Sequence, residues 1–414
     1  LRGILTKQPK FGREAPWLAK DLPVVLMGLD PGTSKNAVVI ALVYKGSLEL
    51  VGVGESPSVG IHKGVIDNPA LTAKSVKQAL EKAEKMAGIR VGRVSVSYCS
   101  ANIEVLNSPG GLTLTGQLGS RSGKERPAVD PALAAVPPGR RIIKRLPAPL
   151  TRTVPGLEQN CDRIVTAPSE DIANLIECAR LAGLAVQEVV YSPLASSYAL
   201  LTPAEKELGT ILIDIGSGIT SVSIFNRGLL RETAVLPLGG EHLVGDLAIG
   251  LSMSLTRAVE ILREYKPEDE EAPGGNDDGA GNGVCVAVKS KNTRDLVRSI
   301  IEARLTEIFT LAGEVIRGFD YPGLLPGGVV IHGGVSQLSG LSCVAEKILQ
   351  IPVRIGQLQN PGPALKPAFA NALGLVKYRF SRLPGEKKVS RNRQEQKEGF
   401  VGRVFNWLED RNKR

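Results

Sequence analysis

Aromatic residues make up only 4% of the 414-residue chain, cysteine occurs five times and histidine three times. Each shortage excludes something. No apolar run approaches the roughly eighteen residues of a spanning helix, and the longest, such as Leu22–Leu29, are strand-length, so the chain is not expected to cross a bilayer. Cys99, Cys161, Cys178, Cys285 and Cys343 are scattered, odd in number and never spaced as CxxC. That argues against a disulfide framework or a zinc site and fits a reducing cytoplasm. His62, His242 and His332 lie too far apart in sequence to suggest a metal cluster. With few aromatics and no basic helix or RNP-like strand in the body of the chain, nucleic acid is not an expected partner. Residues 1–21 are basic but lack the apolar core of a secretory signal, and read as an N-terminal extension without an export function.

What remains is the balance of a globular protein, 43% hydrophobic and 22% charged, in a chain long enough for two lobes. The net charge of +9 is concentrated late: Ser381–Arg414 holds ten Lys and Arg against five Asp and Glu, so this stretch contributes +5.

An internal repeat organises the chain. Val24–Tyr44 (VVLMGLDPGTSKNAVVIALVY) resembles Thr210–Asn226 (TILIDIGSGITSVSIFN), with Asp30 and Asp214 in register. In each copy an apolar run ends in Asp, Gly and small hydroxyl residues force a tight turn, and alternating β-branched residues resume a second strand. A long-period repeat implies two similarly built lobes. Helical spacing predicts amphipathic helices over Ala70–Ala87, Ser169–Ala182 with Ser169 as the cap, His242–Tyr265 and Thr293–Arg317, and a buried strand over Val329–His332. Alternating strands and helices give an α/β fold. Gly116–Asn160, rich in Pro, Gly and Arg, reads as part of a small inserted subdomain, and the acidic, Gly-rich Glu268–Gly283 as a surface loop.

The repeated turns carry the chemistry. In Asp30-Pro31-Gly32-Thr33-Ser34 and Asp214-Ile215-Gly216-Ser217-Gly218, glycine lets backbone N–H groups approach phosphate oxygens, and Thr33, Ser34 and Ser217 add hydroxyl donors. An Asp at each strand end would face the same anion, which is tolerable through a bridging Mg²⁺ with water in its shell. One DxG turn alone is ordinarily a hairpin, whereas two in matching context predict a Mg-nucleotide held from both sides. The rival motifs fail: Gly119–Lys124 has the wrong spacing for a P-loop, and Gly52-Val53-Gly54 lacks the third Gly of a dinucleotide fingerprint. The paired Gly333-Gly334 after the predicted strand leaves room for a flat ligand, a candidate adenosine contact.

The order LDPGTSK, SVGIHKG, SPLASSYALLTPAEKELG, LIDIGSG, GGVVIHGG and a terminal amphipathic helix resembles the FtsA family of bacterial cell-division proteins across nearly the whole chain. The resemblance implies a two-lobed actin-like ATPase fold with an internal duplication. It also implies an ATP site between the lobes, self-assembly into filaments, and attachment of the FtsZ ring to the cytoplasmic face of the cell membrane at the division site. Recruitment of later division proteins is a further implication, qualified by an insert shorter than the family's. Lys35 joins the nucleotide-binding set. So do Glu260 and Arg263, where Val259-Glu260-Ile261-Leu262-Arg263 stands for the family's Ala-Glu-x-x-Lys. Faster-hydrolysing relatives place an acid before the residue matching Pro193, and here that position is Ser192, so slow hydrolysis or none is expected.

Phe400, Val401, Val404, Phe405, Trp407 and Leu408 fall on an arc of about 160° when turned by 100° per residue, with basic residues on either side, the pattern of an in-plane membrane helix. The expected division is 1–21 extension, 22–91 with 166–208 lobe one, 92–165 insert, 209–380 lobe two with a smaller subdomain at about 246–324, 381–398 flexible linker and 399–414 membrane-targeting helix. A diverged paralogue within the FtsA family is one alternative, and two rivals outside it share the fold. A PilM-type pilus-assembly protein, which binds an inner-membrane partner peptide, would not usually carry this tail. A metabolite kinase needs a catalytic Asp beside a substrate pocket, for which the acids of the insert, Glu125, Asp130 and Glu158, have no supporting pattern.

Overall fold

The computed structural model describes residues 23–107, 111–114, 135–146, 151–154, 157–160, 163–265, 291–321, 323–359 and 365–383. In chain order the first part holds β1 (Val24–Pro31), β2 (Lys35–Tyr44), β3 (Ser47–Pro57), β4 (Ile61–His62), β5 (Val65–Ile66), α1 (Pro69–Ala87) and β6 (Arg93–Tyr98). Then come β7 (Glu104–Asn107), β8 (Gly111–Leu114), β9 (Arg140–Leu146), β10 (Thr151–Val154), β11 (Leu157–Asn160), β12 (Arg163–Pro168), α2 (Ser169–Leu181) and β13 (Ala185–Tyr191). The second part follows with α3 (Ser192–Leu200), α4 (Pro203–Leu208), β14 (Thr210–Ile215), β15 (Thr220–Asn226), β16 (Leu229–Leu236), α5 (Gly240–Gly250) and α6 (Leu255–Glu264). It closes with α7 (Lys291–Gly318), β17 (Val329–His332), α8 (Leu341–Leu349), β18 (Val353–Ile355) and α9 (Ala370–Phe380).

Two five-stranded sheets share one plan. Their orders are β3-β2-β1-β6-β13 and β16-β15-β14-β17-β18. In each, an antiparallel meander is joined through its central strand to two parallel strands. The duplication seen as a repeat in sequence is therefore a duplication of topology. β6 begins inside the stretch expected as an insert, yet it lies between β1 and β13, because parallel pairing to both is what completes the first sheet. The three-stranded sheets β7-β12-β9 and β10-β11-β8 stand apart from it.

The hydrophobic pattern explains the layers. β2 is buried from Asn36 to Val43, its residues alternating between two cores: Val38 and Ile40 pack with α1 and α2, while Ala37, Val39 and Ala41 pack with α9. A strand covered on both faces reads as a continuous apolar run. In the second sheet Ile211, Ile213 and Ile215 face α5, α6, α7 and α8, and Leu212 turns to the core shared with α9.

Helices approach the first sheet closely where side chains vanish. A Cβ on Gly52 or Gly54 would lie 2.3 Å from the Ala83 carbonyl or 2.0 Å from that of Ala79, so glycine on β3 lets α1 settle onto the strand. α1 is capped by Asn68, whose side chain accepts from the Leu71 N–H. The expected cap Ser169 is instead the first helical residue of α2, after Pro168, with no side-chain cap bond. The predicted helix over His242–Tyr265 is two helices, because the chain turns at Ser252, φ 50°, before Ser254 caps α6. α3 carries the chain from the first sheet to the second, and α9 brings it back onto β1 and α3. At that crossing a Cβ on Gly374 would fall 1.9 Å from the Ala195 carbonyl oxygen, and one on Gly28 would fall 2.2 Å from that of Ala372.

Candidate functional site

The two Asp-Gly turns face one cleft of about 840 Å³, the size of a site that takes a drug-sized ligand. They are built alike. The Gly32 N–H donates to the Lys35 carbonyl at 2.9 Å, and the Gly216 N–H donates to the Ile219 carbonyl at 2.9 Å. The second turn is braced from behind: Gly240 and Glu241, opening α5, donate to the carbonyls of Gly216 and Ser217, both at 2.9 Å. Those carbonyls are thereby taken out of competition for a ligand.

Asp30 and Asp214 are the penultimate residues of the central strands of the two sheets, and both line the cleft. Asp30 accepts from Ser97 Oγ on β6 at 2.5 Å and from Asn371 Nδ2 on α9 at 3.2 Å. Burial pushes its carboxyl above the usual range and the negative charge of Asp214 adds to this, while Ser97, Asn371 and Lys35 pull the other way. Lys35 is held below its ordinary value by burial, against the attraction of Asp30, Glu55 and Asp214. Two carboxylates with mutually unfavourable charge at facing strand ends fit a divalent cation between them, with water filling its shell.

His332, the last residue of β17, is buried, and its Nε2 sits 3.7 Å from Asp214 Oδ2 with no hydrogen-bond partner. Burial lowers its basicity, so the ring enters the cleft as a neutral group. Gly333 follows at φ 98°, where a Cβ would meet the Ile215 carbonyl at 2.3 Å, so only glycine allows β17 to end against β14. At Gly334 the added atom would meet nothing, and the space belongs to the cleft.

Of the residues expected at the site, Asp30, Gly32, Thr33, Ser34, Lys35, Asp214, Gly216, Ser217, Gly218, Arg263, Gly333 and Gly334 all line the cleft. Glu260 does not; it pairs with Arg257 on the same helix at 2.8 Å. The expected membrane-binding set, Phe400, Val401, Val404, Phe405, Trp407 and Leu408, lies outside the described residues. Sequence reading missed Ser97, Asn371 and the cleft-facing role of His332. Ser97 and Asn371 come from a neighbouring strand and from a helix far along the chain, where no local motif marks them. It also left the SVGIHKG segment without a role. There the hairpin β4–β5 passes over both turns: the Gly64 N–H donates to Thr33 Oγ1 at 3.2 Å, and a Cβ on Gly218 would lie 3.0 Å from Lys63 Cα.

Comparison with known proteins agrees with this geometry. Residues 211–374 match the family model described as cell division protein FtsA. The chain is 33% identical to the cell division protein FtsA of Pseudomonas aeruginosa, over 86% of this chain and 89% of that one. It is 30% identical to that of Neisseria meningitidis, over 92% and 97%. Among solved structures it is similar to the PilM-PilN type IV pilus biogenesis complex, with TM-score 0.62 at 19% identity over 86% of this chain and 98% of that one. It is also similar to the ethanolamine utilization protein EutJ of Carboxydothermus hydrogenoformans, with TM-score 0.52 at 16% identity over 87% and 91%. These two likenesses concern the fold, which is the two-lobed actin-like one.

Proposed function

Because this chain belongs to the FtsA family of cell division proteins, we propose that it binds Mg-ATP between its lobes, polymerises on the cytoplasmic face of the cell membrane and tethers the FtsZ ring there. The observation that carries the nucleotide reading is the pair of identically hydrogen-bonded turns, Gly32 to Lys35 and Gly216 to Ile219, facing one cleft with an aspartate beside each. Backbone N–H groups and the hydroxyls of Thr33, Ser34 and Ser217 bind the phosphates, Lys35 offsets their charge, and Gly334 leaves room for the adenosine. Asp30 and Asp214 are the residues that would hold Mg²⁺, which when bound would neutralise phosphate charge. In the assigned division, lobe one is 22–91 with 166–208, now including β6, and lobe two is 209–380.

Isothermal titration calorimetry with ATP and Mg²⁺ tests the site. Asp214→Ala should weaken binding by roughly tenfold or more while the protein stays folded, since a carboxylate holding a charged partner contributes about 1.5–3 kcal/mol. Unchanged affinity in a folded variant would overturn the cleft assignment.

Ser192, at the start of α3, lines the cleft where a carboxylate would serve as general base. Hydrolysis is therefore slow, and nucleotide acts chiefly to close the cleft and permit assembly. Among the described residues no helix is long and apolar enough to cross a membrane. Membrane attachment is assigned to the apolar arc of the sequence pattern at 400–408. Many tails on one filament would raise avidity by roughly 10² or more over a single weak tail. Phe405→Glu with Trp407→Glu should release the protein from lipid vesicles, and co-pelletation with FtsZ tests the tether.

A further inference from the structure

Behind the cleft, where α9 returns to α3, a group of cations surrounds two tyrosines and has no part in the nucleotide site. Lys206 of α4 places its amine 3.9 Å from the centre of the Tyr198 ring. Tyr198 meets Tyr378 of α9 edge to face at 5.3 Å. Arg382 stacks its guanidinium 5.2 Å from the Tyr378 ring and donates to the Tyr378 hydroxyl. Lys377 donates to the Gln359 carbonyl at 2.8 Å.

This cluster is short of acceptors. Burial and the facing Lys377 pull the Lys206 amine down to about 8, and burial lowers Lys377 as well. The carboxylates nearby are engaged elsewhere. Glu205 accepts from Arg354 at 2.7 and 2.9 Å, and Glu188 pairs with Arg379 at 3.6 Å. Half-buried cations that repel one another and lack an acid are a site for an external anion, which would restore the charge balance that folding leaves unmet.

The position of the cluster selects the anion. Arg382 lies two residues beyond the end of α9, and the segment assigned above to the membrane follows it in sequence. We propose that Lys206, Lys377 and Arg382 form a second membrane contact on the folded body, which receives the phosphate groups of anionic phospholipids. The contact orients the body on the membrane, with the crossing of α3 and α9 toward the lipid and the nucleotide cleft on another face. This rests on the membrane reading given above.

The test measures binding of the full-length protein to phosphatidylcholine vesicles with and without phosphatidylglycerol, by co-sedimentation. Each basic residue at an anionic surface adds about 1 kcal/mol, a factor of roughly five. Lys206→Gln with Lys377→Gln should therefore bind the anionic vesicles roughly 25-fold more weakly, with binding to neutral vesicles and to ATP unchanged. Arg382→Gln, an exposed change that spares both half-buried amines, should cost roughly fivefold on anionic vesicles alone. Wild-type affinity for anionic vesicles in all these variants overturns the proposal while leaving the tail intact. If vesicle binding is unchanged but the double variant loses binding to a polyglutamate peptide, the surface takes an acidic protein and the lipid proposal is wrong. Retention of vesicle binding by Phe405→Glu with Trp407→Glu instead sinks the tail assignment, which separates the two readings.

Discussion

Gly374→Ala is the most direct probe of how the lobes are joined. A Cβ at this position falls 1.9 Å from the Ala195 carbonyl oxygen and 2.4 Å from its carbon, whereas real Cβ contacts stay above 3.0 Å, so α9 must withdraw from α3 by about 1 Å. The obstacle is backbone and cannot rotate away. Overpacking of this kind costs about 1–3 kcal/mol, and the rigid partner argues for about 3. By calorimetric scaling for a unit of 150–250 residues, that lowers Tm by about 6–12 °C. The same shift reaches the cleft, because α9 carries Asn371, whose amide donates to Asp30 Oδ2 at 3.2 Å. Losing one hydrogen bond to a carboxylate should weaken Mg-ATP binding by about tenfold. Gly245→Ala in α5 is the control: its added atom meets nothing, so it should stabilise by about 0.5–1 kcal/mol through helix propensity. Differential scanning calorimetry and titration calorimetry on the two variants provide the readouts. A Gly374→Ala protein with wild-type Tm and ATP affinity would refute the claim that this crossing is packed backbone to backbone and coupled to Asp30.

Gly333→Ala should abolish measurable nucleotide binding, since the new methyl meets the Ile215 carbonyl at 2.3 Å and Asp214 Oδ1 at 2.5 Å in a left-handed backbone; equilibrium dialysis with ATP checks it. The folded Lys206 amine titrates near 8, below its ordinary 10.5, so its contribution to stability is complete above 10.5 and lost as pH falls through about 8. Denaturant midpoints should therefore rise between pH 8 and 10 in the wild type, and Lys206→Met should flatten that rise. Phosphate release should stay below about 1 s⁻¹, the low end of ordinary enzyme turnover, and a faster rate would mean that a base other than the residue at Ser192 is present.

By itself, the sequence determined the duplication, the two Asp-Gly turns and the strand ending in paired glycines. Each is a local signal, because hydrogen bonding within a hairpin, the steric freedom of glycine and the periodicity of apolar residues all act over a few residues. Asp30 and Asp214 could be picked out by register alone. What surrounds them could not. Ser97 reaches Asp30 only because β6 lies parallel beside β1, and Asn371 only because α9 comes back from the far end of the chain. His332 sat in plain view in the strand but became a cleft residue only when β17 paired with β14 and set it beside Asp214. Glu260 fell on the opposite account: a motif placed it at the nucleotide, while the rotation of α6 pairs it with Arg257. The cation cluster is the extreme case. Lys206 of α4 and Lys377 and Arg382 at the end of α9 stand far apart along the chain, and only the packing of Tyr198 on Tyr378 brings them to one place.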